Sequence, residues 1–435
     1  MRSNLLVGIA AVVALGLPAH LHTQEKAGEG GKAKRISEHV QTRIGLDWIA
    51  KNQQKNGSWG AANGSGTHQV ASTSFCALAL LASGDKKYDR QVDLAAVYVR
   101  NNIFGDSKAA VDSPKMKQQI RKQMVAMRAE KKKALLEFAK ANPNLADAIN
   151  KLLAEEPDPD EDFTLDDSNW RIAIGGAFLC EYYASVKAKN PKATIDMKLI
   201  EKIAGECVKR MEDSGGWAHS PGKLKNVLGY RELEVMSNWM LITLGCCQHL
   251  GCKSTPDKAV EKAINFIEKC CNEKEGGVGY SPRFGQKGVG CPCRTGGAIF
   301  AFGLLKKTDH ELYPVMRDFW DKQYSKSVGA HGSPSLGVLQ SALGARQIGK
   351  EAYENFSAEC FPKVLEAAKK DGTFNVIPER VPEGGKTFKS SASFSTGPAN
   401  RLGLESRDQA LDVGIYTLTF LLERERLTFL GRRFE

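Results

Sequence analysis

Residues 44–83 read IGLDWIAKNQQKNGSWGAANGSGTHQVASTSFCALALLAS, and the fold follows from how this stretch divides. Residues 44–54 space their apolar side chains along one helical face, Asn56-Gly57-Ser58-Trp59-Gly60 is a glycine-rich turn around an aromatic, and residues 71–83 are apolar nearly all round and rich in small side chains. A helix that keeps a polar face can stand in water, whereas one without it has to be covered on every side. The unit is therefore a helix pair, one member outside and one inside.

The same grammar returns along the chain. Residues 200–211, Gly215-Gly216-Trp217 and residues 235–250 form one copy; residues 259–271, Gly276-Gly277-Val278-Gly279-Tyr280 and residues 294–305 form another. A looser copy runs from Val315 through Gly329-Ala330-His331-Gly332 to residues 336–348, and the last joins residues 361–370 through Asp371-Gly372-Thr373-Phe374 to residues 409–422. Residues 92–103 with residues 169–184 supply one further pair, interrupted by an insertion, which makes six. Neither terminal repeat carries a distinct polar cap, so the pairs are expected to close into an all-α fold, an α/α toroid of about six repeats over residues 36–435; an open helical-repeat array is the alternative.

At this point a family resemblance enters. Leu46-Asp47-Trp48 with Gln53-Gln54-Lys55-Asn56-Gly57-Ser58-Trp59-Gly60 resembles the Gln/Trp-type repeat of squalene and hopene cyclases. The turns at Gly215-Gly216-Trp217 and Gly276 to Tyr280 resemble those shared by these enzymes and the β subunits of protein prenyltransferases. The resemblance covers roughly residues 40–422 apart from the insertion and implies a terpenoid cyclase or prenyltransferase-type toroid. Such motifs specify a fold far better than a chemistry.

Arg2, the apolar run of residues 5–17 and Pro18-Ala19 have the three-part form of an export signal, so residues 1–22 are expected to be a signal peptide and the Gly- and Lys-rich residues 23–35 a linker. The mature protein is then periplasmic or extracellular, with a membrane tether as the lesser alternative. The insertion, residues 105–163, opens with a Lys/Arg-rich helix and ends in the acidic run from Glu155 to Asp162. It reads as a solvated helical hairpin or as an arm that docks a protein partner. The formal net charge is +11, and much of the basic excess sits in residues 115–140 and at the C-terminus (Arg424, Arg426, Arg432, Arg433) without interleaved aromatics, which argues against nucleic-acid binding. Of the eleven cysteines most lie in apolar helical patterns, where a free thiol behaves as a small hydrophobe; Cys252 with Cys270 or Cys271 is the candidate staple.

In a ring of this kind every inner helix begins at the same end, so residues far apart in sequence gather on one rim around the central cavity. The candidate binding rim consists of His68, Trp170, His219, Glu232, Tyr280, Arg294 and Asp408. The prenyltransferase resemblance implies a metal set there: Cys293 takes the place of that family's cysteine, Cys291 stands where it has an aspartate, and His331 opens the next inner helix. Two thiolates and an imidazole suit zinc. Free or disulfide-bonded cysteines and a His331 that only caps a turn are the competing readings. Thr164-Leu165-Asp166-Asp167 resembles the Asp-x-Asp-Asp acid of class II terpenoid cyclases, with Asp166 as proton donor, Asp167 beside it, and Thr164 departing from the pattern. The competing role is helix capping by Asp167 or Ser168.

The expected function is a toroid that binds a ligand (an isoprenoid, a glycan or a peptide) or a partner in its cavity and rim, with catalysis left open. The alternatives are a zinc-dependent transferase or hydrolase, a class II terpenoid cyclase, and a polysaccharide-degrading toroid using His68, His219, Tyr280 or paired carboxylates.

Overall fold

The structure is a computed structural model that describes residues 35–60, 66–105, 166–221, 231–272, 275–282, 290–330, 333–375 and 409–434, with short stretches at 163–164 and 225–226 and isolated positions at 118–150 and 377; residues 273–274 are not among them. Twelve α-helices are set out in these residues: α1 (Val40–Lys51), α2 (Gly66–Ser83), α3 (Asp89–Asn102), α4 (Ser168–Lys189), α5 (Met197–Lys209), α6 (Glu234–His249), α7 (Asp257–Cys270), α8 (Pro292–Leu304), α9 (Leu312–Gln323), α10 (Pro334–Ile348), α11 (Lys350–Leu365) and α12 (Gln409–Leu421). The even-numbered helices pack side by side in chain order, and α12 returns to pack on α2. The odd-numbered helices lie outside them, α3 against α2 and α4, α5 against α4 and α6, and α1 across the join between α12 and α2. The chain is thus an α/α toroid of six helix pairs. Its described β structure is one two-stranded parallel pairing, Phe163–Thr164 with Lys225–Asn226, and isolated bridges.

The recurrent turn has a physical reason in each copy. The backbone N–H after the turn glycines donates to a hydroxyl on the inner helix: Trp59 to Thr73 Oγ1 at 3.0 Å, Trp217 to Ser237 Oγ at 3.1 Å, Val278 to Thr295 Oγ1 at 2.9 Å. The two indoles donate back to their own outer helix, Trp59 Nε1 to Ile49 O and Trp217 Nε1 to Cys207 O, each at 2.7 Å. The turn glycine sits with positive φ against the next outer helix. At Gly215 (φ +93°) a Cβ would lie 2.2 Å from Lys262 O on α7, and at Gly372 (φ +90°) one would lie 3.0 Å from Trp48 Cβ on α1, so the last turn touches the first helix.

Side chains fill the ring at the level of Phe75 on α2 and Trp239 on α6, whose rings meet edge-on with centroids 5.5 Å apart although α4 separates the two helices in the circle. The end where the inner helices finish is covered by the C-terminal segment. Glu181 on α4, fully buried, accepts the backbone N–H groups of Thr428 and Phe429 at 2.8 Å and that of Leu430. Gln347 on α10 exchanges two hydrogen bonds with the Phe434 backbone, and His249 on α6 packs on Phe429 and Phe434.

Three readings of the sequence are corrected or fall outside. The last outer helix is Lys350–Leu365 rather than residues 361–370, because Tyr353, Phe356, Cys360 and Val364 form its buried face. The cysteines are all free thiols, and Cys252 donates to Glu201 Oε2 at 3.1 Å instead of bridging to Cys270 or Cys271. The signal peptide, the linker through residue 34 and most of the insertion lie outside the described residues, although the described positions at 118–150 are helical apart from one 3-10 residue. Among the described residues no helix is long and apolar enough to cross a membrane.

Candidate active site at the rim

The loop before α4 lays two carboxylates side by side and gives them different work. Asp166 Oδ1 accepts the backbone N–H of Ser168 at 3.0 Å and its Oδ2 accepts the Ser168 hydroxyl at 2.9 Å, a local turn that fixes the start of α4. Asp167 is the residue before the helix, yet makes no side-chain cap; its Oδ1 lies 3.0 Å from His219 Nδ1. The capping work expected of Asp167 or Ser168 is done by Asp166, and the carboxylate aimed at another functional group is Asp167.

His219 is held from three directions. Its carbonyl accepts the Asn169 backbone N–H at 3.0 Å, and Asn169 Nδ2 donates to Ala218 O at 2.9 Å, which pins the turn after Trp217 to the head of α4. Trp170 Nε1 donates to His219 Nδ1 at 2.9 Å, the same nitrogen that faces Asp167. A ring nitrogen offers either a lone pair or a hydrogen. Unprotonated, Nδ1 accepts from the indole; protonated, it donates to the carboxylate. Arg210 braces the base of this group through Ser168 Oγ at 3.0 Å and Asn169 Oδ1 at 3.3 Å. Asp167 and Trp170 are buried, and the His219 side chain keeps 15% of its surface exposed, enough for contact with solvent.

A second cluster sits at the heads of α6 and α8. Glu234 is fully buried, and burial pushes its carboxyl well above the ordinary range against the pull of the Arg294 guanidinium. Arg294 lies over the Tyr280 ring at 5.3 Å, and the Glu234 N–H donates to Tyr280 O at 3.0 Å. Cys291 precedes α8; burial opposes its ionisation, but the Cys293 thiol, Arg294 and the backbone N–H groups at the helix start outweigh it and bring the thiol down to about 6. Cys293 is pushed the other way by burial and by Cys291. The two sulfurs turn to different carbonyls, Cys291 to Ala330 O at 3.3 Å and Cys293 to Ser327 O at 3.2 Å.

Of the expected rim, Trp170 and His219 come together with Asp166 and Asp167, while Tyr280 and Arg294 form the second cluster. Glu232 accepts from Ser214 Oγ at 3.1 Å on the intervening turn. Asp408, His331 and the side chain of His68 lie outside the described residues, and among the described residues no group of three or more His, Cys, Asp or Glu is placed to hold a metal. Glu234 escaped the sequence reading because it stands one residue before the apolar run that marked α6; a charged residue opening an inner helix was the available signal. A groove of 240 Å³ bordered by Asp89, Asp93, Tyr182 and Lys189 also opens on the outside, but its polar groups bond each other: Lys189 pairs with Asp89 at 2.8 Å and the Tyr182 hydroxyl donates to Asp93 at 3.0 Å.

Among solved structures, the chain is similar to an inactive variant of alpha-1,6-mannanase, GH76A of Salegentibacter sp. HEL1_6, in complex with alpha-1,6-mannotriose, with a TM-score of 0.47 and 9% identity over 88% of this chain and 97% of that one. A glycosyl hydrolase family 88 protein from Bacteroides vulgatus matches with a TM-score of 0.45 and 11% identity over 91% of this chain and 100% of that one. The expectation of a terpenoid cyclase or prenyltransferase relative is thereby corrected, since these similar toroids are glycoside hydrolases. The motifs that suggested it supply the turn contacts of the helix pairs, which serve ring packing. No curated protein matches the sequence. The family model DUF6288 does match, over residues 40–396, and with well over half of its length covered the chain belongs to this family, described as a domain of unknown function.

Proposed function

We propose that the rim at the heads of the inner helices binds a glycan and that Asp167 with His219 moves the proton in its cleavage. The observation that supports this reading is the Asp167–His219–Trp170 group: a buried carboxylate 3.0 Å from an imidazole nitrogen that also meets an indole N–H at 2.9 Å. Glycoside cleavage needs a group that gives a proton to the leaving oxygen and another that activates water or attacks the sugar, a task commonly carried by paired carboxylates. Asp167 and His219 supply a proton-holding pair at an edge where the ring is not covered by the C-terminal segment. Glu234, whose carboxyl burial pushes well above the ordinary range, stands at the head of the neighbouring inner helix. Export through residues 1–22 belongs to the same proposal, because polysaccharides are met outside the cytoplasm.

The test is a panel of soluble polysaccharides (yeast α-mannan, dextran, xylan and pectin) with reducing-end release and calorimetric binding as the two readouts, the α-1,6-linked mannan of the similar mannanase structures being the first probe. Activity on one member, lost in Asp167→Asn with binding retained, supports the reading. Neither release nor binding on any member overturns it. A zinc ion on Cys291, Cys293 and His331 is a separate proposal, tested by metal analysis of the purified protein with Cys293→Ser as control.

A further inference from the structure

The cysteines of this chain differ in where their sulfurs point. Cys76, Cys252, Cys271, Cys291, Cys293 and Cys360 each turn toward an oxygen, at distances from 3.1 to 3.8 Å. Cys180 and Cys247 turn toward each other, sulfur to sulfur at 3.6 Å, from adjacent inner helices, with the Ile200 carbonyl farther from Cys247 at 4.0 Å.

The helix contact itself explains the approach. One turn before Cys180, Gly176 leaves room for α6: a Cβ there would lie 2.6 Å from Thr243 Cγ2, and Thr243 stands one turn before Cys247. Thr243 Oγ1 donates to Ala173 O on the same face of α4, which clamps the two helices in this register. A small residue on one helix and a backbone-bonded threonine on the other bring the axes close, and the next turn of each helix presents its thiol to the other. Because both helices start at the same end of the ring, the residue steps from 176 to 180 and from 243 to 247 advance together. A disulfide needs the sulfurs about 1.5 Å closer than they stand, within reach of a change in side-chain torsion.

We propose that Cys180 and Cys247 are a disulfide-forming pair that cross-links α4 to α6 near the end of the ring covered by the C-terminal segment. The reaction is thiol–disulfide exchange with a small-molecule disulfide. One cysteine thiolate attacks it and releases one thiol; the second attacks the mixed disulfide and releases another, so two protein thiols are oxidised as one external disulfide is reduced to two thiols. Both residues are fully buried, so the first thiol meets the external disulfide before α4 and α6 have packed, and the second thiol closes the bond as the two helices come together during folding. The link closes a loop of 67 residues and ties together the two helices whose heads carry Asp167 and Glu234. It stands independently of the glycan reading.

The experiment refolds the full chain from denaturant in a glutathione/glutathione disulfide buffer, and in parallel in reductant. Remaining thiols are alkylated under denaturing conditions, and unreduced digests are analysed by mass spectrometry. The expected result is a linked Cys180–Cys247 peptide pair in the oxidised preparation only, and a melting temperature a few degrees above that of the reduced one. Cys247→Ala should abolish both the linked peptide and the difference in melting temperature. Should that variant fail to fold, the peptide map of the parent decides alone. Recovery of both cysteines alkylated, or linkage of either to a different cysteine such as Cys291 or Cys293, overturns the proposal.

Discussion

Asp167 Oδ1 and His219 Nδ1 stand 3.0 Å apart, a carboxylate from the loop before one inner helix facing an imidazole from the turn that leads into the next. Its neighbour Asp166 is occupied by Ser168. The two aspartates are therefore expected to separate by assay. Asp167→Asn should remove turnover on a responsive polysaccharide while moving the melting temperature little. Asp166→Ala should cost about 1 kcal/mol of stability, as the loss of a cap does, read by chemical denaturation.

Glu181 sets a pH dependence. Burial pushes its carboxyl up to about 7 even though the backbone N–H groups of residues 428–430 pull it down. The unfolded chain releases this proton near 4.5, so between 4.5 and about 7 the folded protein binds more protons than the unfolded one. Stability contributed by this group is full below that window and falls as pH rises through it, by about 3 kcal/mol in all. Thermal melts of the parent relative to Glu181→Gln, which cannot titrate, should show the parent losing ground between pH 4.5 and 7.5.

Gly215 has no room for a side chain. With φ at +93° and Lys262 O 2.2 Å from the position of a Cβ, Gly215→Ala has to displace α7 or distort the turn. A loss of about 2–4 kcal/mol is expected from strain and clash together. Gly205→Ala is the control, since nothing lies within 4 Å of a Cβ there.

The insertion should be dispensable for the ring. The outer helix α3 packs on both α2 and α4, and Arg171 on α4 bonds the Gly105 carbonyl, so the repeat is complete on either side of residues 106–162. A chain with those residues replaced by a Gly/Ser linker should keep most of its melting temperature and helical circular dichroism.

The six pairs were legible because each depends on local signals: a 3.6-residue apolar period, a turn glycine, a small-residue inner helix. The rim was legible only as a collection. Which aspartate bonds Ser168 is decided by a turn of three residues whose alternatives look alike in sequence, so the bonds at the helix start fall to Asp166 where the sequence pointed to Asp167 or Ser168. Glu181 gave no sign at all, because its partners are backbone groups 247 to 249 positions away. The contact of Cys180 with Cys247 needs the register of α4 against α6, which Gly176 and Thr243 fix in space and no spacing of cysteines announces.

The join between α12 and α2 resembles every other join in the circle, with Cys76 bonded to Ala410 O and α1 lying across both helices. The segments before α1 and after α12 are tied there as well: Ser37 N–H donates to Glu423 Oε1 at 2.6 Å, and Arg424 Nη2 donates to Ser37 O at 2.7 Å. The place where the polypeptide is interrupted is thus a matter of connectivity and not of architecture. A circular permutant that joins residue 434 to residue 36 through a flexible linker long enough to return from the Gln347 and His249 contacts of Phe434, and opens between α4 and α5 at the exposed Pro191-Lys192, should fold to the same ring, with a different repeat counted first.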